Sequence, residues 1–94
     1  MKVVWTRPAL ADLTAVGEHV ARDNPAAAER LLARIGARVR DLRERPHRGR
    51  IGRVPGTREL VVDGTAYIVA YQIEGDRLAI LAVFHAARAW PSAF

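Results

Sequence analysis

The stretch from Thr57 to His85 reads TRELVVDGTAYIVAYQIEGDRLAILAVFH, and its pattern decides the fold. Thr57 to Val62 is rich in β-prone side chains and ends at Asp63-Gly64, a dipeptide suited to the left-handed turn of a hairpin. Ala66 to Ile73 follows, alternating so that Tyr67, Val69, Tyr71 and Ile73 share one face. Glu74-Gly75-Asp76 turns the chain again into Arg77 to His85. That segment is apolar at consecutive positions, as in a strand covered on both faces. Three strands joined by two tight turns make an antiparallel meander.

Upstream of the meander the period changes from two to about 3.6. Lys2 to Trp5 is a short β-prone run closed by Thr6-Arg7-Pro8, where Thr6 suits a helix cap and Pro8 a first helical turn. Leu10, Leu13, Val16 or Gly17, and Val20 recur at helical spacing, with Asp12 and Glu18 on the other side. Asp23-Asn24-Pro25 ends this helix and begins a second, with Asn24 as its cap. Ala28, Leu31, Leu32, Ile35, Val39 and Leu42 form its apolar stripe, opposite Arg30, Arg34, Arg38 and Arg40. His47 to Gly56, rich in Gly, Pro and Arg, reads as a loop. Ala86 to Phe94 reads as a tail with room for one helical turn before Pro91. The expectation is a single α+β domain over residues 1–94. It runs N-terminal strand, αα-hairpin, then three-stranded meander, with the helices covering one sheet face in two layers.

Composition removes several function classes. Without cysteine there are no disulfides, thiolate nucleophiles or Cys-ligated zinc. His19, His47 and His85 lack metal-ligand spacing, so no metal is expected, and no nucleotide or phosphate-loop fingerprint calls for a cofactor. Ser92 is the only serine and no nucleophile elbow surrounds it. The N-terminal residues lack a signal-peptide pattern, and the longest apolar stretch, Leu78 to Phe84, is too short to span a bilayer. A cytoplasmic protein with no membrane contact is expected.

The charge is unevenly distributed. The whole chain carries +5, yet residues 30–58 hold ten arginines against Asp41 and Glu44. Such a segment suits a polyanion or an acidic protein, or a solvated helix face in an arginine-rich chain. Arg48, Arg50 and Arg53 lie in the loop before the meander, Arg58 near its start, and His85 and Arg88 at its end. If these meet, His85 has the chemistry to move a 2′-OH proton while Arg58 and Arg88 hold phosphate, a metal-free route to RNA cleavage. If they do not, His85 is a strand-end residue sharing a face with Leu81 and Val83. Strands one and three of the meander run parallel, so the register decides between these cases. Trp5 and Trp90 suit packing, and Trp90 also suits partner contact.

Three segments, in order, resemble the RelE/ParE toxins: Asn24-Pro25-Ala26-Ala27-Ala28 opening the second helix, Pro55-Gly56-Thr57-Arg58-Glu59-Leu60 opening the meander, and Val83-Phe84-His85-Ala86-Ala87-Arg88 closing it. The resemblance spans nearly the whole chain. It implies a toxin of a type II toxin-antitoxin system, encoded beside an antitoxin whose acidic, partly disordered C-terminal segment wraps the helices and sheet. The toxin-antitoxin complex would bind operator DNA through the antitoxin. Leu31, Arg34, Ile35 and Arg38 are the expected antitoxin contacts.

The resemblance also divides by activity. RelE-like members cut ribosome-bound mRNA with basic sheet residues and commonly a C-terminal tyrosine or histidine, whereas ParE-like members inhibit DNA gyrase. Here the tyrosine-arginine pair usual at the second meander strand reads Tyr67-Ile68, only Arg58 is basic in the strand before it, and the tail holds no tyrosine. Phe84-His85 followed by Arg88 is closer to ParE. The expectation is a gyrase-inhibiting toxin with Arg48, Arg50, Arg53, Arg58, His85, Arg88 and Trp90 as target contacts. The alternatives are an mRNA endonuclease using Arg58, His85 and Arg88, and an inactive scaffold that binds only its antitoxin.

Overall fold

A computed structural model describes residues 1–87; Arg88, Trp90 and the rest of the expected tail lie outside the described residues. The elements are β1 (Lys2–Trp5), α1 (Arg7–Ala21), α2 (Pro25–Asp41), β2 (Arg50–Ile51), β3 (Arg58–Val61), β4 (Tyr67–Glu74) and β5 (Arg77–His85). Both helices begin where the caps predict. The Thr6 hydroxyl accepts from Ala9 N at 3.3 Å and Asn24 Oδ1 accepts from Ala27 N at 3.0 Å, each with a proline in the first turn. Three residues separate the helices, which pack as a hairpin on one face of the sheet. The meander is present as read, and Gly64 takes the positive φ of +77° that its turn requires.

Two features of the sheet were not legible. Among the described residues it has five strands in the order β1-β5-β4-β3-β2, and β1 pairs parallel with β5, Lys2 opposite Arg77 and Trp5 opposite Ile80. The helix hairpin returns the chain so that β1 fills the edge of β5 left open by the meander. The sheet is therefore mixed. In addition, Arg50–Ile51, read as loop, forms a short strand on the opposite edge, pairing with Arg58 and Glu59.

Strand β5 carries a bulge. Ala70 pairs with Ala82 but Tyr71 pairs with Ile80, so Leu81 is skipped in the ladder. The bulge shifts the alternation by one residue. Leu78, Ile80 and Val83 all join the helix-facing core, whereas Ala82 and Phe84 cluster with Ile68 and Ala70 on the other face. His85 shares its face with Val83, two residues before it and beyond the bulge. The phase of α1 differs as well. Ala9 and Val16 are buried, Leu10 is half-exposed, and Asp12 turns toward the sheet, where Oδ2 accepts from Val83 N at 3.0 Å. A backbone N–H beside the bulge needs an acceptor, and Asp12 supplies it. The α2 stripe is core as expected: Ile35, Val39 and Leu42 are fully buried, each contributing about 1.5–3 kcal/mol relative to exposure.

A buried tyrosine fastens the segment between α2 and β2. Tyr71 is fully buried; its hydroxyl donates to Pro46 O at 2.7 Å and accepts from Gly49 N at 2.9 Å. A Cβ at Gly49 would lie 2.6 Å from that hydroxyl, so only glycine permits the approach. Burial pushes the Tyr71 phenol above its ordinary value of 10.0, against the opposing pull of the Gly49 hydrogen bond and the Arg58 charge. The unfolded chain ionises this phenol first, so stability is full below about pH 10 and falls as the pH rises past it. Tyr71→Phe should lower stability by about 1–3 kcal/mol at neutral pH, since it leaves the Gly49 N–H without its acceptor. The same variant should lose part of the alkaline decline. Urea melts at neutral and alkaline pH check both, and an unchanged midpoint would show that the hydroxyl holds nothing.

Candidate functional site

The basic segment is organised by two carboxylates. Glu59, its side chain only 1% exposed, pairs with Ala70 across the ladder and so points away from the helices. It meets Arg50 Nη2 at 3.1 Å and Arg53 Nε at 3.5 Å, and accepts from Arg53 N at 2.9 Å. A buried carboxylate is tolerable only when its oxygens are fully engaged, and these contacts also hold β2 and the following turn against β3. The guanidinium groups of Arg50 and Arg53 reach solvent at the rim, each side chain about half exposed at 57% and 49%. Arg48 is exposed beside them.

Arg58 has a different task. It lies opposite Tyr71 on the helix-facing side, and its Nη1 donates to Gly49 O at 2.8 Å and His47 O at 3.3 Å. Together with Tyr71 it pins the 46–49 segment over the sheet. Its Nη1 is thereby committed to the backbone of this segment, which fixes how the guanidinium is held.

His85 sits elsewhere. Tyr67, its partner in β4, contacts it edge to face with ring centroids 5.3 Å apart, and its Nδ1 accepts from Ala87 N at 3.0 Å. The ring borders a cleft of about 270 Å³ between α1 and the sheet, with Asp12, Val16, His19, Tyr67 and Val83. Arg58 pairs with Tyr71 and His85 with Tyr67, four residues apart on β4 and on opposite sides of it. At about 3.3 Å per residue and 4.8 Å per strand this separates them by roughly 16 Å. The register therefore does not bring Arg58 and His85 into one site. Among the described residues no group of three His, Asp or Glu could hold a metal ion.

The expected antitoxin contacts divide. Ile35 is fully buried in the core and offers no surface, and Leu31 is partly buried against that core. Arg34 and Arg38 converge on the Asp63 turn. Arg34 Nε donates to Asp63 O at 2.6 Å, and Arg38 Nε to Asp63 Oδ1 at 2.7 Å. Arg38 also reaches Asp41 at 3.3 Å. The Arg38 hydrogen bond holds the Asp63 carboxyl below the usual carboxylate range, and the same contact raises the guanidinium. Arg34 is 45% exposed and Arg38 32%, so both keep an open side. Sequence reasoning missed Glu59, Tyr71 and Asp12 as organisers. The signal for Glu59 was an acid alone among arginines in a strand, and Asp12 carried none.

A family model described as "ParE toxin of type II toxin-antitoxin system, parDE" matches residues 3–90. "Putative toxin Y4kP" of Sinorhizobium fredii is 44% identical over 90 residues, covering 96% of this chain and 93% of that protein. "Toxin RelE2" of Caulobacter vibrioides is 39% identical over 87 residues, covering 93% and 97%. Among solved structures, a chain from "Chromosomal ParDE TA system from P. aeruginosa" superposes with a TM-score of 0.81 at 30% identity, covering 90% of this chain and 95% of that one.

Removing the charge of Glu59 tests the organisation of the arginine rim. Glu59→Gln should cost about 1–3 kcal/mol, the worth of hydrogen bonds to a buried charge. Amide exchange at Ile51 and Arg53 should quicken while exchange in α1 stays slow. Unchanged exchange at those amides would show that Glu59 does not hold them.

Proposed function

This chain belongs to the ParE toxin family of type II toxin-antitoxin systems, and from that membership we propose that it arrests growth by binding DNA gyrase, without itself making or breaking a covalent bond. The observation that carries this reading is the separation of Arg58 from His85. RNA cleavage needs a proton-transferring group and a phosphate clamp at one scissile bond. Here the guanidinium of Arg58 serves backbone carbonyls on one side of β4, and the imidazole of His85 faces α1 on the other.

A binding toxin asks less of these residues. Arg50 and Arg53 form a rim held to the sheet through Glu59, with Arg48 exposed beside them, and Arg58 supports it from beneath. With His85, and with Arg88 and Trp90 of the tail, they are the proposed contacts to the target. The partner that silences the chain is a cognate antitoxin with an acidic, partly disordered C-terminal segment, the part of the complex that would bind operator DNA. Arg34 and Arg38, still open on one side, and the partly buried Leu31 are its proposed contacts. Such pairing weakens with salt.

Ribosome-dependent mRNA cleavage is the second reading, favoured by the relative named "Toxin RelE2". Purified protein in a gyrase supercoiling assay, beside a translation extract read by primer extension on mRNA, separates the two. Lost supercoiling or trapped cleaved DNA with intact mRNA is the expected result. Codon-phased mRNA cuts with normal supercoiling would replace it with the nuclease reading. Inertness in both assays would leave a scaffold that binds its antitoxin.

A further inference from the structure

Some cationic side chains of this protein are engaged by the chain's own groups and others are not. Arg34, Arg38, Arg50, Arg53 and Arg77 each meet a carboxylate of the chain, and Arg58 meets two carbonyls. Lys2, Arg40, Arg43, Arg45 and Arg48 are all exposed, and among the described residues no ion pair or side-chain hydrogen bond engages them. They are also neighbours. A groove between β1 and α2 is lined by Lys2, Trp5, Arg40 and Arg43, and the adjoining groove by Arg40, Arg45 and Arg48 with Asp41 and Glu44. Arg40 belongs to both, so the two grooves form one strip.

The charge on this strip is not cancelled locally. Asp41 is already engaged by Arg38, which leaves Glu44 as the one acid without a partner against five cations. Cations near a helix C-terminus are favoured by the carbonyl end of the helix dipole, and Arg40 gains from this. That account does not reach Lys2, on β1, or Arg48, seven residues beyond the end of α2. Holding five like charges together costs repulsion that a dense anion would relieve.

We propose that this strip binds the phosphate backbone of nucleic acid, without reading sequence. Four of its five cations are arginines, whose planar forks match phosphate oxygens two at a time. A duplex carries one charge for about each 1.7 Å of its axis, and displacing its condensed counterions gives the strip its affinity. Trp5 packs against the core and is not offered as a stacking platform, so the contact is electrostatic. The inference does not depend on gyrase as the target: of the residues proposed to contact it, only Arg48, which also borders a groove with Arg50 and Glu59, belongs to the strip.

The test is fluorescence anisotropy of purified full-length protein with a short labelled DNA duplex, and separately with a single-stranded RNA, over a salt series. Wild type should bind with log K falling against log salt at a slope of about −3 to −4.5, as four or five phosphate contacts require. Arg40→Gln/Arg43→Gln/Arg45→Gln should weaken binding roughly a hundredfold at about 0.1 M salt and flatten the slope by two or more. A control with the same net charge, Arg7→Gln/Arg22→Gln/Arg30→Gln, alters exposed arginines outside both grooves and should stay within about threefold of wild type. Whichever nucleic acid shows these effects identifies the source. A wild-type slope shallower than about −1 overturns the proposal whether or not the variants fold. Equal losses in the two triple variants overturn it too. Displacement by polyglutamate at equal charge concentration would instead make the strip an acidic-protein dock.

Discussion

Strand β5 is buried on both faces and bonded along both edges, and most other elements are placed by what they supply to it. Its apolar residues, Leu78 and Ile80 on one side and Ala82 and Phe84 on the other, leave no face that water could satisfy. The meander fills one edge through β4, and β1 fills the other by lying parallel to it. A parallel neighbour needs a crossover, and the helix hairpin is that crossover. It is joined to β5 at its first residue, where the Thr6 hydroxyl donates to Ile80 O at 2.7 Å while also capping α1. The bulge at Leu81 then brings Val83 onto the helix-facing side, and Asp12 satisfies the amide beside it.

The β3 edge of the sheet follows a second logic, that of keeping arginines ordered. Glu59 and Asp63 stand at the two ends of β3, each gathering two arginines that are distant in sequence. Asp63 is exposed and its pairs are worth little to stability, but they hold α2 to the hairpin turn in one register. Glu59 is buried, so its pairs are conditions for the strand as well as bonds within it. Arg58 and Tyr71 complete the arrangement by bracing the segment that leads into β2. Two of the arginines in this middle segment, Arg50 and Arg53, thereby become structural and half-available at once.

That arrangement bears on function through distance. The described residues form one sheet, and the β4 partners of Arg58 and His85, Tyr71 and Tyr67, lie four residues apart in it. Membership of the ParE toxin family places the chain among the toxins of type II toxin-antitoxin systems, and its candidate residues are spread over the sheet. The chain is similar to relatives bearing both ParE and RelE names, and a shared scaffold does not by itself fix a function.

Local signals were sufficient for the elements and their order. Thr6, Asn24 and the two prolines set the helix starts, Asp63-Gly64 set the hairpin, and the apolar stripe of α2 became core, because each depends on residues within a few positions of one another. The αα-hairpin and meander were legible for the same reason, as was the family from three ordered segments. Pairings across long separations were not legible. The parallel β1–β5 contact, the Arg50–Glu59 strand and the Asp12–Val83 bond each join distant residues whose types did not announce a partner. Period-two counting could not reveal that Leu81 is skipped in the ladder. The sequence by itself determined which segments are helix and strand and where the charge is concentrated. Only the tertiary structure decided that Arg58 and His85 stand apart, because register is a property of strand pairs and a strand pair is settled by what the whole core can bury.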